Sequence, residues 1–183
     1  MSEEKKGFTF DKSILLLTVT LLAFCVVVAG LLGLVNHVTS GPIEAHQAEK
    51  TARAMREVLE AEEYIPVDYS GSDSTVQSVH RAGDKGFVIT VTPSGFGGTI
   101  NMVVGVDSQG LVTGVSIVSM SETSGLGANA SRESFRSQFV GRSGSVALRK
   151  QGGEIDALTG ATVTSAAVTA GVNSALAAAA ACQ

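Results

Sequence analysis

Asp156-Ala157-Leu158-Thr159-Gly160-Ala161-Thr162-Val163-Thr164-Ser165 reads as a short turn feeding a helix. Gly160 permits a bend that residues with a Cβ resist, and the threonines offer side-chain oxygens to the N–H groups that a first helical turn leaves without partners. Beyond this stretch the chain is rich in alanine to its last residues, with Val168, Val172 and Leu176 at four-residue spacing. That spacing gives the helix an apolar edge suited to packing on a sheet. A helix start of this kind is also a natural seat for a phosphate, because the dipole and the free N–H groups act together there. The residues alone leave two readings open, a plain capped helix and an anion seat.

The sheet against which such a helix packs is legible upstream. Phe87, Ile89 and Val91 alternate with Val88, Thr90 and Thr92, and Ile100, Met102, Val104 and Val106 alternate with Asn101, Val103, Gly105 and Asp107. The period of two marks strands. Asp107-Ser108-Gln109-Gly110 supplies a turn and Leu111 to Met120 is again rich in β-branched residues, so these runs predict an antiparallel hairpin within a meander that buries one face. Glu62 to Thr75, polar and carrying Pro66 and Gly71, reads as a loop. Ser131 is placed to cap a short helix with Phe135 and Phe139 on one face, a core pair, and Val146-Ala147-Leu148 reads as one more strand. The fold class is therefore α+β, an antiparallel sheet with flanking helices.

The N-terminal third has a different character. From Ile14 to Val35 no residue is charged and nearly all are apolar, enough to cross a bilayer as one helix. The apolar run continues through Leu31-Leu32-Gly33-Leu34-Val35, past the small pair Ala29-Gly30, which favours an uncleaved anchor over a signal peptide. Lys5, Lys6 and Lys12 precede the span and Lys50 is the first lysine or arginine after it, so the N-terminus is expected in the cytoplasm and the domain outside. Ser40-Gly41-Pro42 reads as a break opening a second, amphipathic helix through about Ala61, with Ala45, Ala48, Ala52, Met55 and Leu59 as its apolar stripe. The expected divisions are a tail over 1–13, a transmembrane helix over 14–35, a connecting helix over 36–62 and a globular domain over 63–183.

Composition excludes several classes. A net charge of −4, no tryptophan and 5% aromatic residues give no footprint for nucleic acid. Cys25 lies inside the apolar span and Cys182 beside the chain end, so neither a disulfide framework nor a CxxC metal site can be built. His37, His46 and His80 lack ligand-like spacing, and no metal site is expected. No Gly-x-Ser-x-Gly elbow appears, which disfavours a serine hydrolase. Ser121-Glu122-Thr123-Ser124-Gly125-Leu126-Gly127-Ala128 follows the last strand run, two glycines flanking one leucine, and the residues leave two readings open, a plain mobile loop and a loop that lets backbone approach a flat ligand.

Asp156-x-x-Thr159-Gly160-Ala161-Thr162 resembles the flavinylation motif of the FMN-binding domain family, found in the G subunit of the Rnf complex and the C subunit of the Na+-pumping NADH:quinone reductase. The Glu122-to-Ala128 loop is similar to the Glu-Thr-Pro-Gly-Leu-Gly stretch of the Rnf G family, with Ser124 in place of the usual proline and Met120 where a histidine often stands. The anchor, helix, β-rich domain and two motifs fall in the family's order, and the short chain favours the G subunit.

The resemblance implies FMN esterified through its phosphate to Thr162, with Asp156, Leu158, Thr159, Gly160 and Ala161 shaping the attachment turn and Glu122, Thr123, Gly125, Leu126, Gly127 and Ala128 near the cofactor. It also implies an electron-relay subunit, with no catalytic acid or base of its own, of an ion-translocating ferredoxin:NAD+ oxidoreductase in the cytoplasmic membrane. The implied partners are the other Rnf subunits, a flavin transferase and the lipid bilayer. The alternatives are a freestanding anchored flavoprotein carrier and a non-redox anchored sensor whose Thr162 is only a helix cap.

Overall fold

The structure, a computed structural model, describes residues 12–183, so nearly all of the tail expected over 1–13 lies outside the described residues. The first element, α1, runs from Lys12 to Val58 with Pro42 inside it. The break expected at Ser40-Gly41-Pro42 is absent. A proline deletes one rung of the hydrogen-bond ladder rather than the helix. In the turn before it, Thr39 Oγ1 donates to Val35 O at 2.8 Å and Ser40 Oγ to His37 O at 3.3 Å, supplying donors to carbonyls in that region.

The chain divides into two compact units at His46/Gln47. In the first, the large apolar side chains from Ile14 to Val38 are all exposed.

The second unit is built on five strands, β1 (Ile65–Val67), β2 (Val76–Arg81), β3 (Gly86–Val91), β4 (Asn101–Asp107) and β5 (Val112–Ser119), paired antiparallel in chain order. The register sets Val79 opposite Ile89, Ile89 opposite Val104 and Val104 opposite Val115, so one apolar row crosses the central sheet. The β4–β5 turn is shaped by Asp107, whose Oδ1 accepts the N–H groups of Gln109 and Leu111, both at 2.9 Å. β1 and β2 were not expected: β1 lies in the stretch read as a loop. Its three residues, interrupted by Pro66, are too short to show a period, and β2 carries Gln77, Ser78 and His80 among its apolar positions.

Two further helices follow, α2 (Glu133–Arg136) and α3 (Thr162–Cys182). Phe135 and Phe139 form the expected core pair, edge to face with centroids 5.5 Å apart, but Ser131 caps nothing and instead donates to Ala128 O. Val146-Ala147-Leu148 is not a sheet strand; Leu148 makes a single parallel bridge to Ile155. Val168, Val172 and Leu176 of α3 are buried with Val79, Ile89, Met102 and Val104, as their spacing required.

The opposite sheet face is buried too, against the expectation of one covered face. Ala54, Met55 and Val58 from the last turns of α1 pack on Ala82, Val88 and Val103. The buried stripe is thus offset from the one expected: Met55 is in it, whereas Ala45, Ala48 and Ala52 are exposed. What lets the helix end approach is a pair of glycines in register, Gly105 on β4 and Gly114 on β5. A Cβ on Gly105 would stand 2.7 Å from Val58 O, and one on Gly114 3.0 Å from Val58 Cα. Arg136 fastens the same corner, donating to Glu57 Oε1 at 3.0 Å and to Val115 O at 2.8 Å.

Both sheet edges are blunted at one end. β1 is three residues with a proline, and the outer side of β5 exchanges hydrogen bonds with Gly141 and Arg142 through Val112, each 2.8 Å.

Candidate functional site

Three segments converge at the start of α3. The first is the loop after β3, where Ser94 bridges Thr99 and Phe96 sits at the tip. The second is the Ser121–Ala128 loop after β5, and the third is the Leu158–Thr162 turn. Glu122 ties them together: its Oε1 accepts the Gly97 N–H at 3.1 Å, and its Oε2 accepts the Thr164 hydroxyl at 2.7 Å. Gly127 lies against that second bond, so closely that a Cβ would be 2.5 Å from Glu122 Oε2 and 2.7 Å from Thr164 Oγ1. Gly160 adopts φ of +76°, the left-handed region the turn requires, and meets Leu126 across the gap.

The side chains at the head of α3 do not cap it. The residue before its first turn is Ala161, and among the described residues no side-chain cap bond is made there. The threonine caps expected from the sequence are therefore not made. Ser165 is turned back instead, accepting the Leu158 N–H and donating to Ala161 O, both at 2.9 Å, which closes the turn from within. The three hydroxyls thus have distinct fates. Thr164 is 1% exposed and bonded to Glu122, Ser165 is fully buried, and Thr162 is exposed.

Beside Thr162 opens a cleft of about 430 Å³, within the range of pockets that hold small molecules and cofactors. Of the residues expected at the site, Glu122, Thr123, Leu126 and Gly127 line one side, and Gly160, Ala161 and Thr162 another. The others stand back. Asp156 is held by Arg149 in a two-pronged ion pair of 2.7 and 3.0 Å and by Gln138, which accepts its N–H at 2.8 Å. Leu158 packs against the core, while Thr159, Gly125 and Ala128 do not line the cleft. Met120 also packs against the core, and Ser124 is exposed in a loop whose turn is closed by the Leu126 and Ala128 N–H groups on Thr123 O.

Sequence reasoning missed Phe96, Val163 and the role of Thr164. Phe96 was findable: it is an aromatic residue set among Gly95, Gly97 and Gly98 in a turn between two strands, where nothing nearby can bury it. Among the described residues no group of His, Cys, Asp and Glu is arranged to hold a metal.

This fold and cleft define an FMN-binding domain: residues 95–177 match the FMN-binding domain family. In fold the chain is similar to the C subunit of the Na+-translocating NADH-quinone reductase from Parabacteroides distasonis, with a TM-score of 0.53 at 18% identity, over 74% of this chain and 92% of that one. Residues 1–58 match the RnfG N-terminal region. The chain is 33% identical to the G subunit of the Na+-translocating ferredoxin:NAD+ oxidoreductase complex of Acetobacterium woodii, over 93% of this chain and 94% of the relative. It is 34% identical to the G subunit of the proton-translocating ferredoxin:NAD+ oxidoreductase complex of Clostridium ljungdahlii, over 91% of each. The chain belongs to the family of G subunits of ion-translocating oxidoreductase complexes.

Proposed function

We propose that this chain is the electron-relay subunit of an ion-translocating ferredoxin:NAD+ oxidoreductase and that it carries FMN esterified through the phosphate to Thr162. The observation that carries the attachment is the contrast among the hydroxyls at the head of α3: Thr162 is exposed at the cleft, whereas Thr164 and Ser165 are buried and hydrogen-bonded. A phosphate on Thr162 lies at the start of a 21-residue helix whose first N–H groups have no side-chain cap, where the dipole favours negative charge. The residues present therefore fit the cofactor.

When bound, FMN supplies one- and two-electron transfer. The chain's part is to hold and orient it. Gly160 and Ala161 form the turn under the attachment point, Glu122 fixes the loop that carries Thr123, Leu126 and Gly127, and Leu126 and Val163 exclude water from the cleft. Asp156 and Thr159, outside the cleft, present the motif to the flavin transferase that installs the group. Leu158 anchors that turn to the core, and Gly125 and Ala128 set the shape of the opposite loop. No side-chain acid or base is required, and the subunit has no catalysis of its own.

The exposed apolar side chains of Ile14 to Val35 support a helix surrounded by lipid, and the lysines before the span favour an N-terminus in the cytoplasm and an FMN domain outside. In this reading residues 1–13 are a cytoplasmic tail, 14–35 the membrane span, 36–62 the connection and 63–183 the domain. The other subunits of the complex are its partners.

The test is co-expression with a flavin transferase, followed by denaturing electrophoresis with flavin fluorescence and peptide mass spectrometry. Fluorescence that survives denaturation and maps to Thr162, and is absent from Thr162→Ala, is expected. An unmodified Thr162 in folded protein removes the attachment.

A further inference from the structure

Five large apolar side chains are exposed on the described residues after α1, namely Ile65, Phe96, Leu126, Val140 and Val163, and three of them, Phe96, Leu126 and Val163, line the cleft beside Thr162. Phe96 is the most exposed of the five at 74%. An aromatic ring left so open is unusual in a domain whose other phenylalanines, Phe87, Phe135 and Phe139, are all buried.

The ring is not on a loose tether. Its turn is closed by the Gly95 N–H donating to Gly98 O at 2.8 Å and by the Ser94–Thr99 bridge. The Gly97 N–H, next to Phe96, is held by Glu122. Gly95 and Gly97 both lie so near Glu122 and Ser121 that a Cβ on either would collide with them. The turn is thus pressed onto the loop that forms the cleft's other side, and Phe96 is presented outward at a fixed place. A clamped turn that displays an apolar ring at the mouth of a cleft is built to meet a flat apolar surface.

We propose that Phe96 packs against the isoalloxazine ring of the flavin held at Thr162, forming the wall of the cleft opposite Leu126 and Val163. This rests on the flavin reading above. Phe96 acts as a positioning residue: it shields one part of the ring from water and limits the ring's motion, and it takes no part in esterification. Its backbone neighbour Gly97, through Glu122, sets where that wall stands relative to the head of α3, since the same carboxylate holds Thr164.

The chain contains no tryptophan, which makes a direct test available. Phe96→Trp, Phe96→Ala and a control, Val140→Trp, are made in the full chain, co-expressed with a flavin transferase and purified in detergent. Covalent flavin is quantified after denaturation, and emission yield, anisotropy and iodide quenching are measured on the folded protein. An indole in contact with isoalloxazine quenches its emission by donating an electron to the excited ring. The expected result is equal flavin loading in wild type and all three variants, a several-fold loss of flavin emission in Phe96→Trp that denaturation restores, and wild-type emission in Val140→Trp. Phe96→Ala is expected to show lower anisotropy and greater iodide quenching. Equal loading with unchanged emission in Phe96→Trp and unchanged quenching in Phe96→Ala overturns the contact while leaving the flavin reading intact. A folded Phe96→Ala that accepts no flavin also overturns it, because the ring wall has no part in attachment. A wild-type chain without covalent flavin overturns the flavin reading itself, and the contact with it.

Discussion

Glu122 and Thr164 stand 42 residues apart in the chain and share a 2.7 Å hydrogen bond that joins the loop after β5 to the first turn of α3. The other oxygen of the same carboxylate holds Gly97, so one side chain sets three segments of the cleft. Glu122→Ala is expected to lower stability by about 1.5 kcal/mol, the size of a hydrogen bond to a charged group, and to loosen all three segments together. Hydrogen exchange at Gly97 and Leu126 is expected to rise, and protection unchanged at both sites counts against the bridging role.

Thr162 and Thr164 are expected to respond in opposite ways. Thr162→Val removes the exposed hydroxyl and with it covalent flavin, at no cost in stability. Thr164→Val removes a buried donor and leaves Glu122 Oε2 without it, costing about 1.5 kcal/mol, while flavin attachment persists. Denaturing-gel fluorescence and thermal unfolding of both variants check the pair, and flavin lost from Thr164→Val in folded protein would move the attachment point.

Gly105→Ala puts a Cβ against the Val58 carbonyl and the Thr113 hydroxyl, which itself donates to Val58 O at 2.6 Å. Backbone cannot step aside as a flexible side chain can. Overpacking of this kind costs roughly 1–3 kcal/mol, read as a lower urea midpoint, and a midpoint unchanged in Gly105→Ala counts against the close approach of the α1 end.

Acid is expected to destabilise the domain in two stages. Burial holds His80 below its ordinary 6.5, and its Nδ1 has no hydrogen-bond partner among the described residues. The fold therefore prefers the neutral ring, and stability is full above 6.5 and falls as pH drops from there toward the depressed value. Glu57 follows at lower pH: burial pushes its carboxyl up, but hydrogen bonds from Arg136 and Ser116 outweigh this and hold it below 4.5. Its contribution is present above 4.5 and is lost as pH falls through the depressed folded value. Thermal midpoints measured across both ranges should show His80→Gln flattening only the upper stage. A slope unchanged by that substitution rejects the assignment.

Much of the fold was legible because its signals are local. The alternation in 87–92 and 100–107, the Asp107–Gly110 turn and the four-residue edge of α3 each need only neighbouring residues to be read. What escaped depends on partners distant in sequence. β1 and β2 exist because β3 offers them an edge, and the second sheet face is covered because Gly105 and Gly114 admit the end of α1. Val88 and Val103, apolar on the side expected to face solvent, were the available sign. At the head of α3 the expectation of threonine caps failed because the hydroxyls find other partners: Ser165 faces back into the turn and Thr164 binds a carboxylate, neither of which periodicity reveals. Phe96 was passed over because a glycine-rich turn carries no pattern into which an aromatic can be fitted.

The blunted edges of the sheet have a bearing on assembly. With β1 stopped at three residues by Pro66 and the first residue of β5 already engaged by Gly141 and Arg142, both edges are shortened as templates on which a neighbour lays a strand. A protein that docks elsewhere on the domain recognises side chains and loops, and that share of its specificity resides in surface chemistry that can diverge between relatives while the sheet beneath stays the same.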